Sequence, residues 1–395
     1  VLSQSGYGQQ ARFALRSLKA HEEQFEIFVL PIAWGKTGWI WEDSEFREWM
    51  DERITITQIL LQKKQLNVDI SLQVTIPNEF QKIAPINIGY TAGIETTRVA
   101  PQWLQKGNDM DKILVVSNHA KVVYENTNVT ATNTDTGESF PYKLQTPIEV
   151  VWENTPRSKP EPIENLKLDY DYNFLTVSQM SPRKNFVNSI QWFVEEFIDQ
   201  EVGLIVKTNI MNNSLIDWSH LEVRMKNILA KYENRKCKVY LLHGDLSSGQ
   251  MTWLYQHDKI KGLVNIAHGE GFGLPMFEAA REGLPVATIG WSGQVDFLTH
   301  DHEEYFQSID YTIQPVQNEA VWPGVIEKEA MWAYADQGSY KMKLRDMYKN
   351  YEDCKTKAVK LKDIIDEKFS NERLYKIFVD AILEKAEEEA EVVVL

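Results

Sequence analysis

The chain of 395 residues is long for one domain and comfortable for two, and each half is large enough to bury its own core. With 42 Lys and Arg against 57 Asp and Glu it carries a formal net charge of −15, which argues against broad nucleic-acid binding. Its two cysteines, Cys237 and Cys354, offer neither a disulfide framework nor a thiolate metal site, and no apolar run approaches the ~20 residues of a membrane span. These features fit a cytoplasmic protein without a signal peptide, and leave open a peripheral contact at the inner membrane face. In that compartment the sequons at Asn128 and Asn212 are accidental. The chain opens on Val1, and the expected first strand is cut to Val1-Leu2-Ser3, so a few native residues are expected to precede it.

Ser3-Gln-Ser-Gly-Tyr-Gly8 leads into Ala11, Ala14, Leu15 and Leu18 at helical spacing, a Gly-rich turn entering a helix. Phe25 to Leu30 has the composition of a buried strand. Trp34-Gly-Lys-Thr-Gly-Trp-Ile-Trp41 then concentrates three indoles, suited either to stacking on the apolar face of a sugar ring or to anchoring a long loop. From Leu66 to Ile76 every even position is apolar, the period of a strand stopped by Pro77. Asn87 to Thr91 and Ile113 to Ser117 give two more. The loop Thr91 to Arg98 leaves the carboxyl end of a strand, where open α/β sheets bind ligands, so Glu95 and Arg98 are candidate site residues. His119 follows the next strand, at a helix start where it serves either the cleft or local hydrogen bonds. Asn126 to Glu138 predicts a surface hairpin, and Ile148 to Trp152 the last strand of the first half.

Three prolines between Asn154 and Pro162 mark the best linker. The expected organisation is a first Rossmann-like domain over 1–155, a linker over 156–172, a second Rossmann-like domain over 173–368, and a C-terminal helix over 369–395 that packs back toward the first domain. Strands are expected at Phe174 to Ser178, Gly203 to Lys207 and Lys238 to Leu242. Arg183 and Lys184 lie in the turn after the first of these, and His243-Gly-Asp-Leu-Ser247 follows the last. Beyond Val316 the reading is mostly helical, with a turn at Trp322-Pro-Gly. No internal repeat is visible.

Between these segments, the apolar run Leu263 to Ile266 meets Glu270-Gly-Phe-Gly-Leu274 and then a helix with Pro275 near its start and Gly283 at its end. Gly271 and Gly273 let a ligand approach the backbone of Gly271, Phe272, Gly273 and Leu274, whose N–H groups at a helix N-terminus form an anion site. Glu270 and Glu278 flank this phosphate-sized space, and carboxylates there suit a sugar on one side and a ribose on the other.

Glu-x7-Glu enclosing Gly-Phe-Gly-Leu-Pro, followed by Gly283-Leu-Pro-Val286 and Ser292-Gly-Gln-Val-Asp-Phe297, resembles the retaining nucleotide-sugar glycosyltransferases of family 4. That resemblance implies the GT-B fold, two doubly wound Rossmann-like domains facing a cleft, and a nucleotide diphosphate sugar as donor without a metal or other cofactor. Lys184 would bind the diphosphate and Glu270 the donor sugar, with Arg183 completing the catalytic set. Glu278 would hold the ribose, Gly244, Asp245 and Leu246 would border the base, and Gly6 and Gly8 would approach the phosphate. Relatives often place an arginine where this chain has Gln179, and a cleft histidine where it has none, so Gln179 joins the donor-side residues as a departure. Glu95, Arg98, His119 and Trp34 are the acceptor-side candidates, and Asp109-Met-Asp111 is a turn rather than a metal motif. Besides transfer to an unidentified carbohydrate, lipid-linked or protein acceptor, an epimerase or phosphorylase on the same fold and a non-catalytic sugar-nucleotide-binding subunit remain open.

Overall fold

The computed structural model describes residues 1–32, 37–41 and 43–389. Helix α1 (Gly6–Lys19) starts where the Ser5 hydroxyl accepts the Gly8 N–H, and α2 (Glu45–Gln62) starts where Ser44 accepts that of Arg47. The first sheet follows from β1 (Ile70–Val74), β2 (Ile86–Thr91), β3 (Lys112–Val115) and β6 (Ile148–Val150), paired in parallel in that order. Between them lie α3 (Pro101–Gly107), α4 (Asn118–Asn126) and the antiparallel hairpin β4 (Val129–Thr132) with β5 (Ser139–Tyr142). Every residue of β2 and β3 is buried, as expected of parallel strands covered on both faces.

The second sheet is also parallel and larger. It is built from β7 (Asn173–Val177), α5 (Phe186–Phe197), β8 (Gly203–Lys207), α6 (Leu215–Leu229), β9 (Lys238–Leu242), α7 (Ser248–Gln256), β10 (Ile260–Asn265), α8 (Leu274–Arg281), β11 (Val286–Ile289) and α9 (Val295–Leu298). A small hairpin of β12 (Thr299–His300) and β13 (Glu303–Glu304) leads to β14 (Gln307–Ile309), and the order is β14-β11-β10-β7-β8-β9. The chain then forms an antiparallel ribbon of β15 (Tyr311–Pro315) and β16 (Met331–Ala335), followed by α10 (Gln337–Lys349), α11 (Tyr351–Lys368) and α12 (Asn371–Glu389). These are two Rossmann-like α/β domains facing a cleft, the expected GT-B architecture.

Helix α12 returns to the first domain. Phe378 packs on Phe13 of α1 and Tyr90 of β2 with ring centroids 5.7 and 5.4 Å apart, and Lys112 donates to the Ala381 carbonyl at 2.9 Å. Burying one such aromatic side chain contributes ~2–3 kcal/mol, enough for a few of them to hold the helix across the domain boundary. The β15–β16 arm also crosses. Thr97 N–H donates to the Met331 carbonyl, Asn78 to that of Gly324, and Val325 is buried in the first-domain core. No helix among the described residues is long and apolar enough to cross a membrane.

Several expectations are corrected. Val1 to Ser3 forms only an isolated bridge between Ser3 and Trp39, and Phe25 to Leu30 joins no sheet. Ile27 and Val29 are buried against α1 and α2, and the Val29 N–H is satisfied by the Thr57 hydroxyl, so the apolar pattern is that of a strand without the ladder. The long alternating run is ordered as a strand only over Ile70–Val74, where β2 supplies partners. The region beyond Val316, expected to be mostly helical, contains β16 before its helices. Helix α8 is capped by Gly273, which puts Pro275 at its second position.

Candidate active site

Three connections meet at the carboxyl ends of the second sheet. After β7 the chain makes one 3-10 turn, Pro182–Lys184, and Asn185 in the left-handed region (φ 50°) turns it directly into α5. This aims Arg183 and Lys184 at the loop between β10 and α8. Arg183 Nη1 donates to the Gly269 carbonyl at 2.6 Å and to Glu270 Oε2 at 3.0 Å, and Lys184 Nζ donates to Glu270 Oε1 at 2.5 Å. The Glu270 N–H in turn donates to the Ser292 hydroxyl at 2.9 Å, which fixes the start of the loop from the segment after β11. Glu270 is buried. Burial alone would raise its pKa, but the Lys184 ammonium and the Arg183 guanidinium override that and hold it at about 2.

The first domain reaches into the same place. Glu95 Oε1 lies 3.1 Å from Arg183 Nη1, so that guanidinium stands between two carboxylates, one from each domain. Contact here is close enough to require glycine: a Cβ at Gly269 would fall 2.4 Å from the Glu95 carbonyl oxygen, and one at Gly271 2.6 Å from that of Ala92. Gly273 caps α8 with φ 96°. Phe272 anchors the loop, its ring 5.3 Å from Phe277 and 5.1 Å from Phe297. The N–H groups of Gly271, Phe272, Gly273 and Leu274 have no hydrogen-bond partner among the described residues. Four N–H donors in a row at a helix start, next to two cations, have the chemistry to hold an anion.

Glu278 lies one turn into α8, partly exposed. The Thr155 and Tyr255 hydroxyls each donate to it at 3.1 Å, and burial raises its pKa despite nearby Arg281. Beside it is Glu153, at the end of the first-domain sheet. Glu153 is buried, its Oε2 has no partner among the described residues, and burial followed by the Glu278 charge pushes it up to about 8. Glu153 is therefore a carboxylic acid at neutral pH. The proline-rich stretch starts pinned: Arg281 donates to Asn154 at 2.9 Å and to the Thr155 carbonyl, and Asn154 donates to the Phe369 carbonyl at 2.6 Å.

Other candidates are spread around this centre. Gly244 (φ 110°) accepts from Lys207 at 2.8 Å, Asp245 is exposed and accepts from Asn213, Leu246 is partly exposed, and Ser247 caps α7. Gln179 is exposed and donates to the Ile210 carbonyl at 2.6 Å, within its own domain. Gly6 opens α1 with free space where a side chain would be, whereas a Cβ at Gly8 would lie 2.0 Å from the Ser3 carbonyl oxygen, so Gly8 serves its own turn. Arg98 has a buried Nε without a partner among the described residues. His119 stacks edgewise on Trp291 of the second domain at 4.8 Å, and burial lowers its pKa to about 4, so it is neutral. Trp34 lies outside the described residues. Asp111 accepts the Asn87 N–H at 2.7 Å, a strand-closing role, and no group of three or more His, Cys, Asp or Glu side chains among the described residues could hold a metal ion.

Sequence reasoning missed Tyr7, whose hydroxyl meets that of Thr91 at 2.8 Å, along with Thr155, Tyr255 and Glu153. Tyr7 sits inside the Gly-rich turn and was detectable there. The others lack any local signal.

No family model and no curated protein matches the chain. Solved structures do. An E. coli trehalose-6-phosphate protein bound with UDP-2-fluoro glucose superposes with a TM-score of 0.53 at 11% identity, over 86% of this chain and 79% of that one. Sucrose-phosphate synthase from Thermosynechococcus elongatus gives 0.53 at 12% identity, over 79% and 70%. An alpha,alpha-trehalose-phosphate synthase (UDP-forming) from Burkholderia vietnamiensis gives 0.52 at 8% identity, over 89% and 78%. At these identities the similarity establishes the shared two-domain fold.

Proposed function

We propose that this chain is a glycosyltransferase that moves a sugar from a nucleotide diphosphate sugar to an acceptor, with retention of anomeric configuration, as in family 4. The observation that carries the reading is the convergence of Arg183 and Lys184 on Glu270 beside the unpartnered N–H groups of Gly271 to Leu274. Departure of a nucleoside diphosphate builds negative charge on phosphate oxygens, and fixed donors aimed at that charge stabilise the transition state. Here those donors are protein cations and a helix start, so the proposed reaction draws on no metal. The fold's likeness to a protein bound with UDP-2-fluoro glucose supports the donor class.

Within this reading Glu270 faces the donor sugar, Glu278 accepts from the ribose hydroxyls in place of Thr155 and Tyr255, and the loop Gly244 to Ser247 borders the base. Lys184 and Arg183 must exchange a carboxylate for phosphate when the donor arrives. The two buried cysteine thiols fit a reducing, cytoplasmic setting. A second reading, a sugar-nucleotide-binding subunit without turnover, draws on the bracketing of Arg183 by Glu95 and Glu270 and on the engagement of Gln179 with Ile210.

A thermal-shift screen of nucleotide sugars followed by detection of released nucleoside diphosphate tests the proposal. Stabilisation by a donor together with its cleavage is expected. Binding without any cleavage, across a broad acceptor set, would favour the second reading.

A further inference from the structure

Strand β16 is engaged along both edges. One edge pairs with β15. Met331 and Ala333 are two residues apart, so their backbone groups aim at the other edge. There Met331 exchanges two hydrogen bonds with Thr97 of the first domain: its carbonyl accepts the Thr97 N–H at 2.9 Å, and its N–H donates to the Thr97 hydroxyl at 3.1 Å. Ala333 exchanges two with His268 of the second domain: its N–H donates to the His268 carbonyl at 3.0 Å, and its carbonyl accepts from His268 Nδ1 at 2.7 Å. Both partners stand close to the site, Thr97 two residues after Glu95 and His268 two residues before Glu270.

The His268 ring is buried on the face of β16 that carries Trp332 and Tyr334, with ring centroids 4.9 and 4.4 Å away and the Trp332 plane tilted only 16° from its own. That bed is itself fixed, because Trp332 Nε1 and the Tyr334 hydroxyl both donate to Gln317 Oε1, at 3.1 and 2.6 Å. A carbonyl only accepts, so the imidazole proton is on Nδ1. Burial lowers the pKa of His268 by more than the Ala333 bond raises it, and Arg183 adds to the lowering, so the ring is neutral. The His268 N–H donates to the Arg183 carbonyl at 2.8 Å. One residue thus holds the Arg183 turn, the start of the Glu270 loop and the strand that bonds the first domain.

We propose that His268 is a positioning residue of the donor site: docked on the outer edge of β16, it sets the Arg183 turn against Glu270 and, through Met331, ties both to the first-domain loop that carries Glu95. The proposal rests on the sugar-transfer reading and adds how its donor site is kept in register with the other domain. Arg183 and Glu270 must exchange partners when a donor arrives, and a strand edge that fixes the backbone on both sides lets the side chains move without the loops drifting apart. Loss of the His268 hold therefore loosens the contact at Thr97 as well as the site. A histidine that only filled core space would, on removal, disturb its own surroundings alone.

The test compares the parent with His268→Ala, with His268→Asn, whose amide nitrogen stands where Nδ1 does, and with Thr97→Val, which removes one hydrogen bond from the far side at nearly constant size. Amide hydrogen exchange is followed at Thr97 and Ala333, relative to β8, together with donor cleavage and affinity for UDP, ADP and GDP. In His268→Ala, exchange at Thr97 is expected to speed about tenfold beyond any change in β8, with asparagine restoring much of the protection, and Thr97→Val is expected to speed exchange at Ala333 in the same way. The kcat of His268→Ala is expected to fall about tenfold to 10²-fold while nucleotide affinity changes less than about threefold. Unchanged exchange at Thr97 in folded His268→Ala overturns the clasp, as does unchanged exchange at Ala333 in Thr97→Val if the alanine variant does not fold. A parent-like kcat in folded His268→Ala overturns the positioning role. A parent that cleaves no donor, but in which exchange at Thr97 depends on His268, keeps the clasp and instead removes the transfer reading.

Discussion

Glu95 of the first domain and Arg183 of the second meet at 3.1 Å across the cleft, directly over the loop that carries Glu270. In the proposed reading this ion pair competes with a donor phosphate for Arg183. Both side chains are partly exposed, which limits the strength of the pair but makes it replaceable. Glu95→Gln keeps the size and removes the competing charge. Affinity for a nucleoside diphosphate is expected to rise about tenfold, by the order of one charge interaction near a protein surface. Titration calorimetry reads this directly, and an affinity equal to or below the parent's would show that Glu95 does not compete.

Gly271 tests whether the two domains must touch. A methyl group there would lie 2.6 Å from the Ala92 carbonyl oxygen, and backbone on both sides leaves little room for adjustment. Gly271→Ala is therefore expected to push the loop 92–95 away and to lower stability by about 1–3 kcal/mol. A fall in melting temperature together with weakened nucleotide binding is the expected pair of results. An unchanged melting curve would mean that the interdomain contact gives way without cost.

The outcome for these loops shows which parts of the molecule were legible in the sequence. The β10–loop–α8 unit was, because a buried strand, two glycines, a helix-start proline and a closing glycine are all local signals. The bounds of β9 were equally plain, and α12 was legible as a helix though not in its first residue. Glu95 was placed near the site by the rule that ligands gather at strand carboxyl ends, but its pairing with Arg183 joins residues far apart in sequence and leaves no pattern in either segment. Phe25 to Leu30 was misread because an apolar segment looks the same whether its N–H groups meet another strand or, as for Val29, a threonine hydroxyl. The β15–β16 ribbon was missed because its two short strands are joined by a long connection that docks on the first domain.

Glu153 gives the protein a predictable pH dependence. Its native pKa of about 8 exceeds the ~4.3 of an unfolded glutamate, so between these values the native state holds a proton that the unfolded state has released. The sign follows: this group's contribution to stability declines as pH rises from ~4.3 through about 8 and is level above. Glu153→Gln removes the titration. Its melting temperature relative to the parent's is expected to increase steadily with pH across that range, and parallel profiles for the two proteins would contradict the buried neutral acid.

The most direct test of the account is the rate of nucleoside diphosphate release by Lys184→Ala, measured with saturating donor and set against donor affinity. Lys184 is proposed to act on charge that grows as the glycosidic bond breaks, so kcat is expected to fall by ~10²-fold to 10³-fold while affinity changes much less. Arg183 still bonds Glu270 at 3.0 Å, so the variant is expected to fold. Gln179→Ala is the control: its amide is engaged with Ile210, and its rate is expected to stay within about twofold of the parent's. A folded Lys184→Ala protein that releases nucleoside diphosphate at close to the parent rate would contradict the proposed mechanism.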